Sequence, residues 1–163
     1  MIMANFLKAR KSVRDFKKKK INLDTLEQVT LSLKEFENED GTGNIKFKLY
    51  ENGDYIYEGL KGIGGYSGVM IESPHYISLE LKNEDEKTTI YSAYYAEKLI
   101  TKLNNMGIST CWISIVGVEE SKKKEILGES ISIVNYLLAI GYSKPKNPFV
   151  QEPFSERYSV EDI

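Results

Sequence analysis

From Glu84 to Met106 the apolar residues Ile90, Ala93, Ala96, Leu99, Ile100, Leu103 and Met106 recur at helical spacing, which predicts the longest helix of the chain. Asn83 with Glu86 forms an N-terminal capping pattern, and Gly107 stops the run. Tyr91, Tyr94 and Tyr95 widen its apolar surface beyond one stripe. A helix apolar on so much of its circumference is central, or sits in a subunit interface. Thr110–Val116 follows directly and reads as a nearly continuous apolar strand of the kind buried on both faces.

The period switches repeatedly elsewhere. Leu23, Leu26, Val29, Leu33 and Phe36 predict an amphipathic helix over Leu23–Glu37, capped by Asn22 or Asp24. Ile45–Leu49 alternates as a strand, and Tyr55–Tyr57 is expected to return as its hairpin partner around the turn at Glu51–Asp54. His75–Leu81 and Ile131–Tyr142 read as two more strands. Residues 3–9 form a short helical lead-in, and residues 118–127 a short helix carrying exposed Lys122, Lys123 and Lys124. Helices interleaved with four or five strands imply an α+β fold, expected as one domain over residues 1–163.

Three arginines, Arg10, Arg14 and Arg157, stand against nineteen lysines in 163 residues. Arginine offers a planar fork of donors that grips phosphate bidentately, which lysine does not. Arg10 and Arg14 flank Ser12. If that stretch is helical or turn-like, both heads fall on one side and would suit a bound phosphate. A solvated charged face is the equal alternative.

A net charge of −2 leaves no basic excess to displace counterions from nucleic acid. No apolar run approaches the roughly 20 residues that span a bilayer, and none at the N-terminus suits a secretory signal, so a cytoplasmic location is expected. One cysteine, Cys111, and one histidine, His75, exclude a disulfide framework and a histidine- or cysteine-rich metal site within the chain.

Other features read as structural. The four lysines Lys17–Lys20 are expected as a solvated linker. Gly59–Gly68 matches a dinucleotide fingerprint only in part: Ser67 replaces its third glycine and no buried strand precedes it, so a flexible loop is expected. His75 at the head of a strand is expected as a hydrogen-bonding partner. Cys111 is expected as core packing, in a buried strand with no charged neighbour to lower its pKa.

Several separated stretches resemble one family in order. Arg10-Lys11-Ser12-Val13-Arg14-x-Phe16 resembles the opening R-R-S-x-R-x-F signature of the FMN-dependent nitroreductases. Met106-Gly107-Ile108-Ser109-Thr110-Cys111-Trp112-Ile113 is similar to their L-G-L-G-T-C-W-I segment. Ser73-Pro74 resembles their A-P step, Leu138–Tyr142 their A-x-G-Y-P strand end, and Arg157 their closing arginine.

The resemblance implies a mostly antiparallel sheet flanked by helices, and a homodimer with FMN at the subunit interface. Arg10 and Ser12 would hold the phosphate and ribityl chain, with Lys11 assisting. Arg14 would reach the ribityl or pyrimidine end, and Arg157 would close on the phosphate. Trp112 would pack beside the flavin, and the backbone N–H groups of Ile113, Ser114 and Ile115 would meet its N5 and O4. No side chain is expected to act as a catalytic acid, base or nucleophile, because N5 carries the hydride.

The implied activity passes hydride from NAD(P)H through FMN to an electron-poor acceptor of the nitroaromatic or quinone type. The chain departs from the family in having Ser114 and Ile115 where glycines are usual, and Ser155 two positions before Arg157 where a basic residue is common. The P-S-x-x-N-x-Q-P-W loop is missing, with Asn44 as its candidate relic. These departures keep two alternatives open: a flavin-binding or sensing protein of this fold without turnover, and a small interaction domain with no cofactor.

Overall fold

A computed structural model describes residues 10–128 and 132–145. The expected lead-in at residues 3–9, the tail beyond residue 145 and Arg157 lie outside the described residues. The elements run α1 (Leu23–Asp40), β1 (Ile45–Tyr50), α2 (Gly53–Leu60), β2 (His75–Leu81), α3 (Glu86–Asn105), β3 (Ser109–Ser114), α4 (Glu120–Leu127) and β4 (Ile133–Gly141). The strands form one antiparallel sheet in the order β1-β2-β4-β3.

Each helix begins and ends for a local reason. Asn22 caps α1 by accepting from the Thr25 N–H at 2.8 Å, and Gly41 ends it at φ +63°, where a side chain would be strained. The helix runs three residues beyond the expected Glu37. Asp85 caps α3 by accepting from the Thr88 N–H at 2.7 Å, displacing the capping pattern expected at Asn83. Asn83 instead accepts from the Asp85 N–H, holding the cap residue itself.

The helices cover both faces of the sheet. One core cluster joins Val29, Leu33 and Phe36 of α1 to Leu99, Ile100 and Leu103 of α3 over Ile77, Leu79, Leu138 and Ile140. The other joins Ile56 and Leu60 of α2 to Ile126 and Leu127 of α4 over Tyr76, Ile113, Leu137 and Ala139. With both faces covered, β2 is buried at all seven positions although its pairing is antiparallel. The expectation of a strand buried on both faces holds only in part: Thr110, Cys111 and Ile113 are buried, but Trp112 is half-buried, Ser114 is exposed, and laterally β3 is an edge strand.

The expected hairpin at Tyr55–Tyr57 is instead helix α2. Tyr-Ile-Tyr favours a strand locally, but Ile56 and Leu60 are one helical turn apart and both bury against the second cluster. Asn52 caps this helix by accepting from the Tyr55 N–H. At its first residue, Gly53, the N–H reaches the Pro74 carbonyl at 3.0 Å. A Cβ there would stand 2.1 Å from the Ser73 carbonyl oxygen, so only glycine allows that approach.

Lys123 departs from its expected exposure: it is 4% exposed, its stem packed inward and its Nζ bonded to Glu120 Oε1 at 2.7 Å. Lys17–Lys20 are exposed, as expected. His75 is buried, and its Nε2 accepts from the Ile21 N–H at 3.1 Å, tying the chain before α1 to β2. Burial holds its pKa below the ordinary histidine value, and the nearby Glu51 carbonyl opposes this only in part.

Two predictions follow from these packing sites. Gly53→Ala should lower unfolding free energy by at least about 2 kcal/mol in urea titration, because backbone must move to admit the methyl group. His75 has a folded pKa below its unfolded value of about 6.5, so its contribution is intact above that pH and drains as pH falls toward the folded pKa. The stability lost between pH 7.5 and 5.5 should be smaller in His75→Gln than in wild type.

Candidate active site

The free edge of β3 organises the site. Ile115 N–H bonds the Asn135 carbonyl at 2.9 Å, so by the alternation of an antiparallel ladder Cys111 and Ile113 also face β4. Thr110, Trp112 and Ser114 turn their backbone groups the other way. Val13 N–H reaches the Thr110 carbonyl at 3.0 Å and Gly65 N–H reaches the Ser114 carbonyl at 2.9 Å. Two segments thus clasp the edge at its ends, leaving the stretch around Trp112 between them.

The first clasp is the segment before α1. It has no helical turn; Phe16 bridges Ser143, and Lys17 N–H reaches the Tyr142 carbonyl at 2.8 Å. Alternation along this segment turns Val13 onto the second core cluster while Ser12 and Arg14 line the adjacent cavity. The helical or turn-like condition under which Arg10 and Arg14 would fall on one side is not met; the segment is extended, and its alternation puts Ser12 and Arg14 together. Pairing to β3 and β4 outweighs any local helical tendency.

The second clasp comes from the glycine-rich stretch Gly59–Gly68, whose first two residues end α2 and whose remainder follows it, so it has no dinucleotide-binding context. Gly65 has φ +79°, and a Cβ there would stand 2.1 Å from the Val69 carbonyl oxygen. The turn therefore needs glycine to bring its N–H onto Ser114.

Between the clasps and α3 lies a cavity of about 830 Å³. One wall is α3, through Thr89, Ser92, Ala93 and Glu97, which share a helical stripe. The floor is β3 and β4, through Cys111, Trp112, Ile113, Ser114, Asn135 and Tyr136. Tyr66, Ser67 and Val69 form part of the rim. Trp112 and Tyr136 meet edge to face at 5.9 Å between ring centroids.

A β-bulge shapes the floor. Leu79 pairs with Tyr136 but Glu80 pairs with Val134, leaving Asn135 as the extra residue. The bulge brings Asn135 and Tyr136, neighbours in sequence, both to the cavity lining. Asn135 Nδ2 donates to Glu84 Oε1 at 2.6 Å, fixing the approach to α3 against the end of β3.

The opposite end of the cavity carries arginine. Arg10 Nη2 lies 3.3 Å from Glu97 Oε1, and the Oε2 of Glu97 is buried with no hydrogen-bond partner among the described residues. Cys111 lies close enough for Arg14 and Arg10 to pull its pKa down, but burial outweighs them and the thiol is raised above its ordinary value. The expectation that no charge lies near Cys111 is corrected: its charged neighbours come from the clasping segment, not its own strand. Among the described residues no group of three or more histidines, cysteines or carboxylates could hold a metal, and no helix is long and apolar enough to cross a membrane.

Of the residues expected at the site, Ser12, Arg14, Trp112, Ile113 and Ser114 line the cavity, and Arg10 reaches its wall through Glu97. Lys11 is exposed and outside the lining, and Ile115 is buried in the second core cluster with its N–H on Asn135. Asn44 lies before β1, away from the cavity, where its carbonyl accepts from Lys82 N–H. Sequence reasoning missed Glu97, Glu84, Asn135, Tyr136 and the Gly65–Val69 rim. Glu97 carried a weak signal, lying four residues beyond Ala93 on one helix stripe. The bulge at Asn135 carried none.

A family model described as "Putative TM nitroreductase" matches residues 3–162. Among solved structures, the chain resembles a nitroreductase with bound FMN from Bacteroides fragilis, at TM-score 0.74 and 17% identity, covering 98% of this chain and 97% of that one. An FMN-dependent nitroreductase from Clostridium difficile aligns at TM-score 0.71 and 18% identity over 98% and 94% of the two chains. An iodotyrosine deiodinase bound to FMN and 3-iodo-L-tyrosine aligns at TM-score 0.64 and 18% identity over 98% and 100%. No curated protein matches the chain.

The raised thiol predicts that Cys111 alkylates slowly at pH 8 in the native protein and completely once unfolded. Mass spectrometry after iodoacetamide treatment with and without urea measures the difference.

Proposed function

The chain belongs to the nitroreductase family, and from that premise we propose that it is an FMN-dependent oxidoreductase using NAD(P)H and an electron-poor acceptor of the nitroaromatic or quinone type. The observation that carries this reading is the cavity laid along the unpaired edge of β3, with arginine at one end and aromatic rings on its floor. Its volume of about 830 Å³ lies within the usual range for small-molecule sites and admits a ligand of FMN size.

The residues fit the group. Arg10 and Ser12 would hold the phosphate and ribityl chain with Lys11 assisting, Arg14 would reach the ribityl or pyrimidine end, and Arg157 would close on the phosphate. FMN, when bound, supplies the two-electron chemistry, accepting hydride from the nicotinamide and delivering it to the acceptor. The edge-facing N–H groups of Ser114 and Trp112 are the β3 donors available to a flavin ring, because those of Ile113 and Ile115 are turned to β4. Of the donors implied by the family resemblance, Ser114 is kept, Ile113 and Ile115 are dropped, and Trp112 is added. Trp112 and Tyr136 would pack beside the ring, and a positive arginine near it would favour the anionic reduced form.

The chain's own task is positioning. Clasping the β3 edge with Val13 and Gly65 holds the floor rigid, so donor and acceptor would stack in turn at one place. We place the active form as a homodimer, with the exposed Ile90, Tyr91 and Tyr94 of α3 as candidate interface residues. Exposed Tyr66 and Val69 at the rim leave the ring end open, which also suits a flavin-binding protein without turnover.

Purified protein incubated with FMN should show flavin absorption bands that bleach with NADH or NADPH under anaerobic conditions. Bands that persist with both would favour binding without turnover. Arg14→Ala should weaken FMN binding by about tenfold or more, as loss of a charge-assisted bond, in fluorescence-quenching titrations. Unchanged affinity would remove Arg14 from the site.

A further inference from the structure

Three buried side-chain polar atoms lack a hydrogen-bond partner among the described residues: Asp40 Oδ1, His75 Nδ1 and Glu97 Oε2. Glu97 alone of these residues lines the cavity. A buried carboxylate oxygen without a donor is costly, so its persistence in a binding cavity points to a donor that arrives with the ligand.

The chemistry of that donor is restricted. A carboxylate only accepts, so it repels a phosphate and needs an O–H or N–H. Glu97 Oε1 is already on Arg10 at 3.3 Å, which neutralises the pair and fixes where Oε2 sits. The Asn135–Glu84 bond ties the approach to α3 to the start of β4, which lies beside the Ser114 end of β3. Along α3, the eight residues from Thr89 to Glu97 rise roughly 12 Å. Glu97 therefore stands near the arginine end, well away from the ring-packing end at Ser114 and Tyr136.

We infer that Glu97 is a ligand-binding residue that accepts a hydrogen bond from a hydroxyl of the polyol chain joining flavin ring to phosphate. The inference rests on the proposed flavin site. Oε1 positions Arg10 and Oε2 takes the hydroxyl, so one carboxylate serves both groups at that end. Hydroxyl-to-carboxylate bonds are short and strong, and this one would be sheltered from water.

The test uses two flavins without phosphate, so that Arg10's hold on the phosphate does not enter. Riboflavin carries the polyol chain; lumiflavin has the same ring without it. Both affinities are measured by fluorescence quenching for wild type, Glu97→Gln and Glu97→Asp, with ligand-free melting temperatures as a check on folding. Glu97→Gln keeps the side chain's size but is neutral: with its carbonyl oxygen on Arg10 it offers the hydroxyl only an N–H, a weaker bond than the one a carboxylate accepts. Riboflavin should bind about tenfold more weakly to it, with lumiflavin unchanged. Glu97→Asp, one methylene shorter, should show the same selectivity.

Riboflavin affinity unchanged in both variants would overturn the inference. An equal loss for lumiflavin would also overturn it, assigning Glu97 to the ring or to the fold. If wild type bound riboflavin, lumiflavin and FMN not at all, the flavin site itself would fall, and this inference with it.

Discussion

The structure depends on one unpaired strand edge. β3 has only one neighbouring strand, so its outward N–H and C=O groups must find partners or water. Two short segments supply part of what is missing, Val13 at Thr110 and Gly65 at Ser114. Neither adds a full strand. A complete fifth strand would have sealed the edge; two single clasps leave a gap with free donors at its floor. The cavity is thus a consequence of how incompletely the edge is covered.

That edge is built by distant parts of the chain. The clasp before α1 carries Arg10, Ser12 and Arg14, and the bond from Ile21 to His75 fixes where the segment turns away. Helix α2 delivers the second clasp, and its tight start at Gly53 against Pro74 sets where Gly65 arrives. The bulge at Asn135 then changes which β4 residues face the cavity. Packing against both faces makes these placements mutually dependent, because a shift of one residue in β3 would exchange its cavity side chains for its core ones.

Much of this was legible in the sequence where one local rule acted alone. The bounds of β2 followed from its apolar run, and α1 from its stripe of Leu26, Val29, Leu33 and Phe36. Tyr55–Tyr57 misled because β-branched and aromatic residues favour strands until an i, i+4 pair finds a core to bury in. The cap moved from Asn83 to Asp85 because either side chain can cap, and the exit from β2 decides between them. The arginine-rich start was visible as chemistry but not as conformation, since its extended form is imposed by β3 and β4. Nothing local singled out Glu97, because its partner Arg10 lies 87 residues earlier in the chain.

The openness of the site carries the last step. Tyr66 is 89% exposed and Val69 65%, and both stand at the cavity rim. Such side chains gain nothing from water, and a flat aromatic ligand lying on Trp112 and Tyr136 would have protein on one face only. Under the proposed reading a second copy of the chain is the natural cover, since reduction of the acceptor needs the opposite face bounded and partly dry. Strong binding at the arginine end combined with a loosely bounded ring end would separate two tasks. The cofactor would be retained by its chain and phosphate, while donor and acceptor exchange freely over the ring.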